Sequence, residues 1–181
     1  MPCMDIYETG IEGAYRICPT VFKDGRGAFY ESFHKERYPF VEDDLVQDNC
    51  SISIKNTLRG LHFSHQKKLV SVLYGKVFDV IVDIRPSSPT YKRWEGFVLE
   101  DEKFEQLYIP KGCAHGFCVL SEKAHLVYKV SEYYDPQKEK EFRWNDPTIG
   151  IHWPIENPIL SKRDQTSPFF LDLEVECISG L

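Results

Sequence analysis

Three side chains have the types and settings that acid–base chemistry in one cavity could use: His62 in the stretch TLRGLHFSH, Lys68 at the start of KLVSVLY, and Tyr128 in AHLVYKV. A histidine can take a proton near neutral pH, a tyrosine hydroxyl can return one, and a lysine can face a developing negative charge. Strand alternation gives His62 a face shared with Leu58 and Gly60. It gives Tyr128 a face shared with Leu126 and Val130, with His125 and Lys129 pointing away. A tyrosine directed inward must find a polar partner or line a cavity. Each residue alone is compatible with plain packing. Together they offer a base, an acid and a cation to one interior.

Metal chemistry is the competing reading. His62 and His65 are three apart, which suits one face of a helix but opposite faces of a strand. In PKGCAHGF, the residues Pro110, Gly112 and His115 resemble part of a cupin signature in which such a histidine is a ligand. The other half, a His-x-His pair followed by Glu, is missing. No metal site is therefore expected, and His115 reads as a cavity or packing residue. A Ser-His-Asp order, a glycine-rich phosphate loop and a dinucleotide fingerprint are also absent.

The elements that must carry these side chains are strands. From Val77 to Ile84 the sequence alternates, with Phe78, Val80, Val82 and Ile84 on one face and Asp79 and Asp83 on the other. The triplet YGK, 74–76, separates two such runs and reads as a tight hairpin turn. RWEGFVLE, FEQLYIP, GFCVLS and AHLVYKV are further strands, divided by turn-forming RPSSPTY and PKG. SFHKERY and DPQKEKEF have room for one short helix each. Close-set strands of this kind predict an antiparallel sandwich or barrel.

With 181 residues and no internal repeat or linker, a single domain over 1–181 is expected. No apolar run approaches the roughly 18 residues of a membrane helix. The start, MPCMDIYETG, lacks a secretory pattern, so a cytoplasmic protein with no membrane contact is expected. Cys3, Cys18, Cys50, Cys113, Cys118 and Cys177 form no CxxC pair and read as free thiols. A net charge of −6 argues against nucleic-acid binding, which needs a basic surface, but leaves room for one locally basic pocket that takes a phosphate-bearing small molecule.

FKDGRGAFYESF, VQDNCSISIKNTLRGLHF, KLVSVLYGKVFDVIVDIRPSSPTYKRW, QLYIPKGCAHGFCVLSEKAHLVYK, YYDP and WNDPTIGIHWP follow one another across about residues 15 to 165. In order and spacing this resembles the dTDP-4-dehydrorhamnose 3,5-epimerase family. The resemblance implies an all-β, jelly-roll antiparallel barrel of the cupin type with a few short helices, working as a homodimer. It also implies an epimerase of a nucleotide-linked 4-keto-6-deoxyhexose, dTDP-linked in the family, that needs no metal or organic cofactor. His62 matches the family's base, Asp164 in PILSKRDQTSP its orienting carboxylate, Tyr128 the acid on the opposite face, and Lys68 the cation beside the enolate oxygen.

The same resemblance assigns substrate contacts. Arg26, Phe29 and Glu31 match residues that reach the nucleotide, often across the dimer. Gln47, Asn49 and Arg59 match nucleotide and diphosphate contacts, Tyr134 matches a substrate-side aromatic, and His115 joins them as a cavity residue. Arg26 and Glu31 are also compatible with a surface pair. Strict alternation turns Arg59 away from His62 unless Gly60 introduces a bulge. Three features depart from the family pattern: the short FSHQK loop, Ser71 where arginine is frequent, and Tyr108 where tryptophan is frequent. They leave open an epimerase acting at C3 or C5 alone or on another sugar nucleotide, beside a metal-dependent or a non-catalytic sugar-binding cupin.

Overall fold

A computed structural model describes residues 4–173. Its strands run in chain order β1 (Met4–Glu8), β2 (Tyr15–Pro19), β3 (Val21–Asp24), β4 (Gly27–Tyr30) and β5 (Gln47–Ile54). There follow β6 (Leu58–Phe63), β7 (Lys68–Tyr74), β8 (Lys76–Asp83) and β9 (Trp94–Glu100). The last are β10 (Gln106–Ile109), β11 (Cys113–Val119), β12 (Lys123–Val130) and β13 (Lys140–Glu141), before one short helix, α1 (Lys162–Thr166). A six-stranded sheet, β1-β2-β10-β7-β12-β5, faces a five-stranded sheet, β13-β6-β11-β8-β9, and β3-β4 is a separate hairpin. Every strand pairing is antiparallel, and the architecture is the expected cupin-type jelly roll.

The alternating apolar residues explain the layering. Val70, Val72, Leu107 and Leu126 of the six-stranded sheet pack against Val77, Ile81, Phe117 and Val119 of the other. On the outer side of the five-stranded sheet, Phe78, Val80, Val82 and Ile84 are covered by Phe142, Ile149, Trp153 and Phe170 from the C-terminal segment. Burying each such side chain contributes about 1.5–3 kcal/mol. Both faces of β8 are therefore enclosed, and Asp79 and Asp83 are fully buried rather than solvated. Arg85 answers Asp83 from Nε and Nη2 at 2.9 and 2.8 Å, and the hydroxyls of Ser88 and Thr90 close the set, pinning the RPSSPTY turn.

Two local expectations change. Tyr74–Lys76 is not a hairpin turn, because β7 pairs with β10 and β12 while β8 pairs with β11 and β9. The chain crosses between sheets there through Gly75, at φ +80, where an added Cβ would lie 2.1 Å from the Lys123 carbonyl oxygen. DPQKEKEF forms no helix; its lysine and glutamate at 140–141 become β13, since pairing with β6 outweighs a helix too short to nucleate alone. SFHKERY does hold one 3₁₀ turn, Lys35–Arg37. Cys18, Cys50, Cys113 and Cys118 are free; Cys3 and Cys177 lie outside the described residues. Among the described residues no helix is long and apolar enough to cross a membrane.

Candidate active site

The two sheets part around a cavity of about 500 Å³. Arg59 and His62 of β6 and His115 of β11 line one wall; Asn49 of β5, Lys68 of β7 and Tyr128 of β12 line the other, with Tyr134 and Glu139 from the segment after β12.

Local distortion of β6 decides what that strand presents. His115 pairs with His62 and Phe117 with Arg59, so two steps along β11 oppose three along β6. This is a β-bulge, and it brings Arg59 and His62 to the same face. His62 therefore does not share its face with Leu58 as regular alternation implies. Gly60 permits the bulge: its φ is +128, and an added Cβ would sit 2.6 Å from Cα of Gly116. Arg59 Nε donates to Ser53 Oγ at 3.1 Å, leaving the rest of its guanidinium for an anion.

His62 Nε2 lies 2.7 Å from Oδ1 of Asp164, which is 3% exposed. Ser161 caps α1 by accepting from the Asp164 backbone N–H at 3.1 Å, and its hydroxyl donates to Oδ2 at 2.7 Å. Burial pushes the Asp164 carboxyl up, but hydrogen bonds from His62 and Ser161 outweigh it and hold the group below its usual range. A carboxylate only accepts, so the proton between the two belongs to Nε2 and Nδ1 keeps its lone pair. That nitrogen is the basic one.

Across the cavity, the Lys68 ammonium lies 6.0 Å from the centre of the Tyr128 ring. Burial pulls the lysine's pKa down, opposed by Glu139 and Asp79. Burial raises that of the Tyr128 hydroxyl and Glu139 raises it further, so Tyr128 stays protonated at neutral pH. His115, 7% exposed, meets both carboxylate oxygens of Asp79 through Nε2 at 3.0 and 2.9 Å. Gln47 does not line the cavity; it ties together two residues that do, donating to Asn49 Oδ1 at 2.8 Å and accepting from the Tyr134 N–H at 2.9 Å.

Arg26, Phe29 and Glu31 lie outside this cavity. Arg26 is exposed and pairs with Asp24 at 2.7 Å, Phe29 is 72% exposed on the β3–β4 hairpin, and Glu31 accepts from Arg37 at 2.8 Å. Ser71 and Tyr108 also lie elsewhere: Ser71 accepts from Gln106 at 3.0 Å, and Tyr108 packs in an outer cluster with Ile17, Tyr38, Val41 and Leu69. The short loop after His62 is tied to the segment after β12 by Gln66, which donates to the Glu132 carbonyl at 2.8 Å.

Sequence reasoning missed Asp79, Glu139 and Ser161. An aspartate on the inward face of an apolar strand was the one available signal, and it marked Asp79; nothing local marked the other two. Among the described residues, no group of three His, Cys, Asp or Glu side chains is placed to hold a metal ion.

The family model described as dTDP-4-dehydrorhamnose 3,5-epimerase matches residues 8–172. A dTDP-4-dehydrorhamnose 3,5-epimerase of Shigella flexneri is 44% identical over 178 residues, covering 94% of this chain and 98% of the relative. A crystal structure of dTDP-6-deoxy-D-glucose-3,5-epimerase from Legionella pneumophila, in complex with dTDP-4-keto-L-rhamnose, superposes with a TM-score of 0.93 at 44% identity, covering 97% of each chain. A 4-keto-6-deoxy sugar epimerase from the novobiocin cluster of Streptomyces spheroides gives 0.89 at 39% identity, over 94% of this chain and 89% of that one.

Proposed function

The chain belongs to the dTDP-4-dehydrorhamnose 3,5-epimerase family, and from that premise we propose how its residues divide the epimerisation of a dTDP-linked 4-keto-6-deoxyhexose. The C4 carbonyl acidifies the hydrogens on C3 and C5. His62 Nδ1 removes such a proton, and Asp164 stabilises the imidazolium that results. Lys68 faces the oxygen that gains negative charge in the enolate. Tyr128 then donates a proton to the other face of the same carbon. Protons are exchanged with no net redox change, so a base, an acid and a cation suffice.

One observation carries this reading: His62, paired with Asp164 of α1, stands on one sheet and Tyr128 on the opposing sheet, with the cavity between them. A base and an acid that approach one carbon from opposite sides are what inversion needs. Arg59, Asn49, His115 and Tyr134 hold the nucleotide diphosphate and sugar, with Gln47 bracing Asn49 and Tyr134. Incubation with dTDP-4-dehydro-6-deoxyglucose in deuterated water, followed by NMR, tests it. Label at C3 and C5 together with inverted product is expected; absence of label at both would overturn it.

The working unit in this reading is a homodimer in the cytoplasm, where a charged sugar nucleotide is made and kept. The side of the six-stranded sheet away from the cavity leaves Ile54 and Leu73 exposed, an apolar face that a second copy can cover. The exposed Arg26, Phe29 and Glu31 then serve the partner's cavity, where an arginine and an aromatic ring suit a diphosphate and a base. Light scattering is expected to give twice the chain mass; a monomer with full activity would exclude this arrangement.

A further inference from the structure

Asp79 is a costly residue in its place. It has no exposure, its strand neighbours on the inward face are Val77 and Ile81, and a buried carboxylate needs compensation that an apolar side chain would not. Among the described residues its carboxylate takes a hydrogen bond from His115 alone.

We propose that Asp79 is a positioning residue of the epimerisation, fixing His115 in one tautomer against the sugar. The inference rests on the epimerase reading above. Because Asp79 can only accept, it holds the proton of His115 on Nε2, and Nδ1 is left as an acceptor for a sugar hydroxyl. The register explains how it reaches: Asp79 lies opposite Phe117 and Ile81 opposite His115, so Asp79 and His115 are diagonal neighbours on the inward face of β8 and β11.

The test compares wild type with Asp79→Asn, which keeps the volume and removes the charge, and with Asp79→Glu, which restores it. In Asp79→Asn kcat at neutral pH should fall about 10- to 100-fold, the usual effect of removing a group that orients a working histidine. Asp79→Glu should recover part of the lost kcat. ¹⁵N NMR of wild-type His115 should report a proton on Nε2. An unchanged kcat in a folded Asp79→Asn protein, or wild-type His115 protonated on Nδ1 when neutral, would overturn the proposal. The NMR measurement needs no variant to fold and no substrate, so it judges Asp79 separately. Failure of the wild type to exchange label would instead remove the epimerase reading.

Discussion

Nε2 of His62 and Oδ1 of Asp164 meet at 2.7 Å although 102 positions separate them along the chain. The two depend on different devices. A bulge turns His62 inward, and the serine cap of α1 aims Asp164. Hydrogen bonds from His62 and Ser161 keep the carboxylate ionised despite its burial, so an imidazolium formed by proton capture is met by a full negative charge.

Asp164→Asn should therefore lower the exchange rate about 10²- to 10⁴-fold, because the amide cannot stabilise the imidazolium. Stability gives a second readout. The folded-state pKa of Asp164 lies below its unfolded value near 3.9, so the unfolded chain binds the extra proton. The stabilisation is complete above that value and is lost as pH falls through the folded pKa. Urea denaturation from pH 7 to pH 3 should show wild type losing more stability than Asp164→Asn; parallel curves would contradict the pairing.

His62→Asn should abolish deuterium uptake at both C3 and C5 while the circular dichroism spectrum stays that of wild type. A folded variant that exchanges label near the wild-type rate would remove His62 from the reaction.

Tyr128→Phe keeps the base, the cation and the cavity shape and loses one hydroxyl. Solvent deuterium should still enter the sugar with retained configuration, whereas inverted product should form about 10²- to 10⁴-fold more slowly. Loss of a merely structural hydroxyl costs about 1 kcal/mol and leaves turnover alone. If inversion continues near the wild-type rate, Tyr134 becomes the acid to test.

Gly60→Ala places a methyl group 2.6 Å from Cα of Gly116 and 3.0 Å from the His115 carbonyl oxygen, at a φ of +128 that suits glycine. Backbone on both sides leaves nothing to yield, so the variant should lose about 2 kcal/mol or more. Surviving folded enzyme should bind dTDP more weakly, since Arg59 loses its aim. A variant of unchanged stability and affinity would show that the bulge tolerates a side chain.

Extended dialysis against a chelator should leave activity within error of the untreated enzyme. Activity lost on dialysis and restored by one divalent ion would favour the metal-dependent cupin reading.

What the sequence determined by itself was local. Period-two runs of Val, Ile, Leu and Phe placed β8, β9, β11 and β12, because a strand's alternation depends only on neighbours along the chain. The ordered motifs carried the family and named the residues that meet in the cavity, from His62 and Asp164 to Arg59. Partners across space were beyond it. YGK has the composition of a hairpin turn, and only the packing of two sheets around one core sent β7 and β8 apart. Arg59 and His62 look opposed in any regular strand, and their shared face depends on Gly60 passing close to Gly116 on another strand. Asp79 read as one of a pair of polar residues on β8. The C-terminal segment that covers the outer face of its sheet, and the histidine that arrives 36 positions later, made it a buried anion inside the cavity wall. Those outcomes follow from contacts between segments distant in sequence, and the free energy of such contacts exists only once the chain has closed on itself.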